Sequence, residues 1–352
     1  MADAGIEVFL FGLTDFSPDL FRGLKNIKAD SLNLKLTDTE VEQSKLSKFR
    51  YFGVIPRIKK IIKSWKPDIV HAHYASSYGL IGVLLNFHPL ITSVWGTDIL
   101  EFPKLSFVSK SLLKFVLSKS DKLLSTSAYM AAEAAAYTNK KFVITPFGID
   151  TQLFQKTKLR SLFNDNSVVI GTVKNLEKVY GIDTLLRSFQ LLKERNKSLS
   201  FKLLIVGSGT YEKELRKLAS ELNIEGETVF TGRIANDKVH EYYSMMDVAV
   251  FLSNRESFGV SILEAQSCNI PVVASNVGGF SEIIVNNETG ILVPPNDHES
   301  AATAIEKIIS NTNLSNKITG KARRIVVDRF DFNKSVKQMV DIYKNILARK
   351  EY

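Results

Sequence analysis

The sequence predicts an α/β protein of two lobes, each a doubly wound, largely parallel sheet. Three observations carry this. Short runs rich in β-branched and aromatic residues alternate with helical patterns over most of the 352 residues. That length exceeds what a single hydrophobic core usually fills. The alternation lapses once, in a polar stretch over residues 155–166, and restarts at Val168. The expected organisation is therefore a first Rossmann-like domain over 1–154, a linker over 155–166, a second Rossmann-like domain over 167–330 and a last helix within 331–352.

Strand patterns fall at residues 7–13, 68–72, 90–94, 122–125, 142–145, 168–173, 201–206, 228–231, 248–252 and 272–274, and helical patterns include 185–193, 211–222 and 300–309. The start is unusual. Ala2-Asp3-Ala4-Gly5 reads as the end of a helix with Gly5 as its C-terminal cap. Residues 7–13 are then a second strand and 31–36 a third, and an opening strand, loop and helix of about 25 residues are expected to be missing. The alternative is that 7–13 is the first strand, followed by a short helix near 21–27. That helix is too brief for a parallel crossover.

Hydrophobic residues make up 45% of the chain and charged residues 24%, a composition that excludes a disordered chain. Cys268 is the single cysteine and has no partner for an internal disulfide. The first residues lack a signal-peptide pattern, and no apolar stretch reaches the roughly 18 residues of a spanning helix. These features predict a cytoplasmic protein. A net charge of +9 suits an anionic partner: nucleic acid, an acidic membrane surface or a nucleoside diphosphate. No nucleic-acid recognition module accompanies the charge, so nucleic acid is not expected.

The strongest chemical signal is Glu256-Ser257-Phe258-Gly259-Val260-Ser261-Ile262-Leu263-Glu264, which follows the strand pattern at 248–252. A helix starting near Gly259 turns its free N–H groups toward the carboxyl end of that strand, where they and the helix dipole favour a diphosphate. Glu264 sits a little over one turn beyond Val260 and can accept from a ribose diol. Glu256 stays in the preceding loop, nearer a transferred sugar. Phe258 completes this donor-side cluster.

This segment resembles the two-glutamate motif of the retaining glycosyltransferases of family 4, which have the GT-B fold. The resemblance continues through Pro271-Val272-Val273-Ala274-Ser275, Val277-Gly278-Gly279, Glu282, Gly290 and Leu292-Val293-Pro294, nearly the whole second lobe in order. It implies two Rossmann-like domains whose parallel sheets face a central cleft, with the last helix crossing back to the first domain. It also implies transfer of a sugar from a nucleoside-diphosphate sugar to a saccharide or lipid-linked acceptor, in cell-surface polysaccharide or glycoconjugate synthesis.

In that family a basic pair opens the second lobe and clamps the diphosphate. Lys174 stands where the family has arginine, and Lys178 is the expected second cation, with the spacing to Gly181 stretched by one residue. Lysine offers a point charge in place of a bidentate fork. Gly207 and Gly209, in Val206-Gly207-Ser208-Gly209, suit either close approach to the donor or a tight turn. Arg233 and Ile234 resemble the base-binding edge, where Arg233 either stacks on the base or lies on the surface. No Asp-x-Asp element is present, in keeping with a metal-free mechanism that uses no cofactor.

In the first lobe, His71 and His73 alternate on one strand, which invites a metal reading. No third ligand follows, and His73 at the strand end is either a cleft residue or a structural one. Trp95 occupies a place where the family often has a histidine facing the acceptor, and an indole cannot act as a base. Asp98 is expected to orient an acceptor hydroxyl, with Trp95 and Tyr74 on the acceptor side. Residues 102–124 carry Lys104, Lys110, Lys114, Lys119 and Lys122 among Leu105, Phe107, Val108, Leu112, Phe115 and Leu117. Such a stretch either lies on an anionic bilayer or turns its apolar stripe to the core. The missing opening segment leaves a second reading, a binding-only or inactive protein of the same fold.

Overall fold

The computed structural model describes residues 5–14, 26–34, 53–157, 162–163 and 166–348. The expected helix end at residues 2–4, most of the alternative helix near 21–27, and linker residues 158–161 and 164–165 lie outside them. The chain forms two compact units. One runs to Thr126 and includes Ala131–Thr145 and the residues from Val336 on. The other comprises Ser127–Met130 and Pro146–Ser335.

The first unit contains β1 (Val8–Thr14), β2 (Ile27–Leu34), α1 (Ile55–Trp65), β3 (Val70–His73), α2 (Tyr78–Leu85), β4 (Leu90–Val94), α3 (Thr97–Leu100), α4 (Phe107–Lys119), β5 (Lys122–Ser125), most of α5 (Ala128–Ala134) and β6 (Phe142–Ile144). β3-β4-β5-β6 form one parallel sheet, and β1 and β2 pair in parallel with each other. All five residues of β4 are buried, as befits a strand covered on both faces. The strand expected over 31–36 begins earlier, because Ile27 already pairs with Val8.

The second unit contains β7 (Val168–Val173), α6 (Ile182–Arg195), β8 (Phe201–Val206), α7 (Glu212–Glu221), β9 (Thr228–Phe230), α8 (Val239–Ser244), β10 (Val248–Phe251), α9 (Val260–Ser267), β11 (Val272–Ser275), α10 (Phe280–Ile283), β12 (Ile291–Val293), α11 (His298–Ile309) and α12 (Thr312–Arg329). A final helix, α13 (Phe332–Ala348), begins in this unit and continues in the first.

Its six strands are parallel, in the order β12-β11-β10-β7-β8-β9. Successive residues feed opposite faces. Ile170, Leu203, Ile205, Val248 and Val250 pack with α6, α7 and α11, while Val169, Leu204, Val206, Ala249 and Phe251 pack with α8, α9 and α10. The strand order reverses between β7 and β10, so the loops after these two strands diverge and leave a crevice at their carboxyl ends. In open parallel sheets ligands bind at such a switch point.

Candidate functional site

Lys174 is the first residue beyond β7, and its backbone N–H still bonds the Val206 carbonyl at 2.9 Å, which extends the β7–β8 ladder by one step. Its side chain turns into the crevice. There Nζ lies 2.5 Å from Glu256 Oε2, with both side chains only about a tenth exposed (11% and 12%). The same ammonium stands 4.6 Å from the centre of the Tyr180 ring and 5.8 Å from that of Phe280.

Glu256 is held in place by backbone packing. Gly278, at φ +47, brings its Cα so close to the Glu256 carbonyl that an added Cβ would lie 1.9 Å from the oxygen. Gly279 N–H donates to that carbonyl at 3.2 Å. Only a glycine turn can pack this tightly beneath the acidic loop.

Gly259 is the N-cap of α9, and the first-turn N–H groups of Gly259, Val260 and Ser261 have no intrahelical acceptor. Glu264 lies on the second turn of this helix, nearly buried, and reaches the same cavity as Lys174. Burial pushes its pKa up to about 7, against the lowering effects of a hydrogen bond from Tyr243 and the charge of Lys174. Tyr243, on α8, is completely buried, with its hydroxyl 3.2 Å from Glu264 Oε2 and 3.0 Å from the Ser261 carbonyl.

The cavity measures about 410 Å³ and lies wholly within the second unit. Lys174, Gly207, Arg233, Ile234 and Glu264 line it, with Tyr180, Ser208 and Ser261 among their neighbours. Five expected donor residues do not line it: Gly259 and Val260, which open α9, and Lys178, Phe258 and Gly209. Lys178 is exposed and does not line the cavity, because the short 3₁₀ turn Lys178–Tyr180 turns the tyrosine inward in its place. Phe258 is a core residue, its ring 6.1 Å from Phe147 and 6.0 Å from Phe330. Gly209 faces the backbone of Leu176 and leaves no room there for a ligand, since its Cβ would meet the Leu176 carbonyl oxygen at 2.3 Å. Gly207 combines both readings: at φ +134 it packs against the Lys174 carbonyl, 2.0 Å from a hypothetical Cβ, and it also lines the cavity.

Sequence reasoning missed Tyr180 and Tyr243. Tyr243 belongs to an amphipathic stretch whose apolar face merges with the core, so nothing in the pattern separates it from packing residues. Tyr180 had one available signal, its place directly before Gly181 at the end of the expected clamp.

In the first unit, His71 and His73 stack with ring centres 4.0 Å apart, and His73 lies 5.1 Å from the Trp95 ring. His71 Nδ1 is 2.7 Å from the Tyr343 hydroxyl and Nε2 2.7 Å from Ser93 Oγ, so hydroxyls engage both nitrogens that a metal would need. Burial holds the His71 pKa well below the usual value, and the neighbouring His73 charge adds to this. His73 keeps an exposed edge, yet the protein crowding its ring depresses its pKa to about 4. Trp95 is 36% exposed, and the Tyr74 hydroxyl bonds that of Thr97.

Asp98 departs from expectation. It is fully buried, its Oδ2 accepting from Ala75 N–H at 2.9 Å and its Oδ1 from Gly96 and Trp95 N–H at 2.8 and 3.2 Å. These bonds fasten the loops after β3 and β4 and leave no carboxylate oxygen turned to an acceptor. Burial raises its pKa in spite of them.

Two family models match the chain: glycosyl transferases group 1 over residues 154–325, and glycosyl transferase 4-like over residues 5–127. The chain belongs to the group 1 glycosyl transferases. This glycosyltransferase is 26% identical over 327 residues to the N-acetyl-alpha-D-glucosaminyl L-malate synthase of Bacillus anthracis, a match spanning 88% of the chain and 84% of that protein. Its structure is similar to sucrose-phosphate synthase from Thermosynechococcus elongatus, with a TM-score of 0.85, 21% identity, and coverage of 99% of this chain and 91% of the other. Anabaena HepE in complex with UDP-glucose gives a TM-score of 0.77 at 19% identity, covering 96% of the glycosyltransferase and 99% of HepE. The glycosyltransferase has the GT-B fold.

Proposed function

We propose that the enzyme moves a hexose-type unit from a nucleoside-diphosphate sugar to a hydroxyl of a saccharide or lipid-linked acceptor, with retention of anomeric configuration and without a metal. One observation carries the reading. A buried ammonium, Lys174, stands at the switch point of the second unit in the same cavity as Ser261 on the open first turn of α9. Together they oppose the charge that grows as the bond from the sugar C1 to the diphosphate breaks. The acceptor oxygen forms the new bond to C1, and its proton passes to the departing phosphate oxygen, so no separate base is required.

On this reading Lys174 and the N–H groups of Gly259 and Val260 meet the diphosphate. Glu256 holds the donor sugar, and Glu264 accepts from the ribose hydroxyls. Arg233 and Ile234 border the base. His73, Trp95 and Tyr74 lie on the acceptor side. The UDP-glucose complex of HepE, a protein of the same fold, supports a nucleotide-sugar donor.

A lipid-linked acceptor draws support from α4. Ser106 caps its first turn, and Leu113, Val116 and Leu117 face the core. Phe107 (83% exposed), Val108 and Phe115 face outward, with Lys114 and Lys119 at the edges of that face by helical spacing. An apolar strip edged by lysines fits the surface of an anionic bilayer, a peripheral contact. Among the described residues no helix is long and apolar enough to cross a membrane.

Thermal-shift measurements against UDP, GDP, ADP and their sugars test the core of the reading. Stabilisation by one of these, lost in Glu264→Ala, together with sugar transfer, is expected. A wild-type chain that responds to none would overturn it.

A further inference from the structure

Lys174 is a single flexible side chain, and a point charge on four methylenes does not orient itself. Something must fix where the ammonium stands. Glu256 does so on one side, but an ion pair also consumes part of the charge that an incoming diphosphate needs. The ring of Tyr180 lies on another side, 4.6 Å from Nζ, and lines the same cavity. A ring face attracts a cation through its quadrupole and leaves the full positive charge in place.

The support of this ring is firm. Tyr180 N–H donates to the Glu177 carbonyl at 3.0 Å, and the preceding Val179 carbonyl accepts from Asn254 N–H at 2.8 Å, which ties the turn to the loop after β10. The exposed Lys178, two residues earlier, is outside the cavity.

We propose that Tyr180 is a positioning residue for the donor diphosphate: its ring face holds the Lys174 ammonium at the cavity wall in a charged, available state, and no second lysine of this turn takes part. The inference rests on the nucleotide-sugar reading above and adds to it a specific division of labour between an aromatic residue and one cation.

The test is a double-mutant cycle read by calorimetry, using whichever of UDP, GDP and ADP binds the wild type most tightly. Tyr180→Phe keeps the ring and is expected to bind within about 2-fold of wild type. Tyr180→Leu removes it and should weaken binding on the order of 10-fold, the scale of a partly desolvated cation–π contact. In a Lys174→Met background the leucine change should add nothing, because the ring acts through the ammonium. Lys178→Ala should bind as wild type. Tyr180→Met replaces the leucine variant should circular dichroism show that leucine unfolds the chain. Unchanged affinity in the ring-less variant, an equal loss in Tyr180→Phe, or a full loss persisting without Lys174 would each overturn the proposal. A wild type that binds none of the three nucleotides would remove the functional reading itself, a distinct result.

Discussion

The hydroxyl of Tyr243 stands 3.2 Å from Glu264 Oε2 and 3.0 Å from the Ser261 carbonyl, two acceptors for one phenolic proton. The phenol donates to both, and its bond to Glu264 favours the charged carboxylate while burial opposes it. A pKa of about 7, set first by burial, makes a protonated carboxyl accessible near neutrality.

The sign of the resulting pH dependence follows. Between the ordinary value of 4.5 and the folded value of about 7 the folded chain binds more protons at this site than the unfolded chain. Stability is therefore lost as pH rises through this window, by roughly 3 kcal/mol for this group alone. Urea titrations at pH 5 and pH 7.5 should show this loss reduced in Glu264→Gln. Affinity for a nucleotide sugar, whose diphosphate does not titrate here, should rise from pH 6 to pH 8 in the wild type and stay flat in Glu264→Gln. Flat affinity in the wild type would contradict the ribose role.

His71 acts in the opposite sense. Its folded pKa is lowered, so the stability it contributes is present above about pH 6.5 and is lost as pH falls toward the folded value. Imidazole NMR should show the ring taking up its proton at a pH well below the 6.5 of an ordinary histidine. His71→Asn should lessen the acid sensitivity of the urea midpoint.

Gly278→Ala is expected to disable the donor site more than the fold. The added methyl strikes the Glu256 carbonyl, and φ +47 strains any other residue. Nucleotide-dependent stabilisation should fall sharply, with a loss of thermal stability of about 1–3 kcal/mol. Gly226→Ala, where nothing stands within 4 Å of an added Cβ, is the control and should behave as wild type.

The outward strip of α4 predicts salt-sensitive binding to vesicles. Sedimentation with vesicles containing phosphatidylglycerol should carry the protein down, and pure phosphatidylcholine should not. Phe107→Ser combined with Phe115→Ser should abolish this without lowering the melting temperature, since neither ring is buried. Equal recovery of the double variant with the vesicles would refute the contact.

Strand–helix alternation made the four-stranded and six-stranded sheets legible, because buried parallel strands are short apolar runs and β10 and β11 are buried throughout. Glu256, Lys174 and Glu264 could be brought together from sequence because each sits just beyond a strand or within the first turns of a helix, positions that topology gathers at one edge. The phase of a turn is not so legible. Which of Lys178 and Tyr180 points inward depends on a single 3₁₀ turn, which alternation patterns do not resolve. Asp98 misled for a related reason: a carboxylate two residues past a glycine reads the same whether it faces solvent or bonds the N–H groups of its own loop.

The Lys174–Glu256 pair joins residues 82 apart in sequence. It does so because β7 pairs with β10 only after the chain has laid β8 and β9 on the opposite flank. A polypeptide emerging from synthesis can complete three strands of this sheet and still hold no binding function. The Lys174–Glu256 pair is assembled by the long-range pairing of β7 with β10 rather than by any local hairpin, so a chain terminated before Glu256 cannot form it.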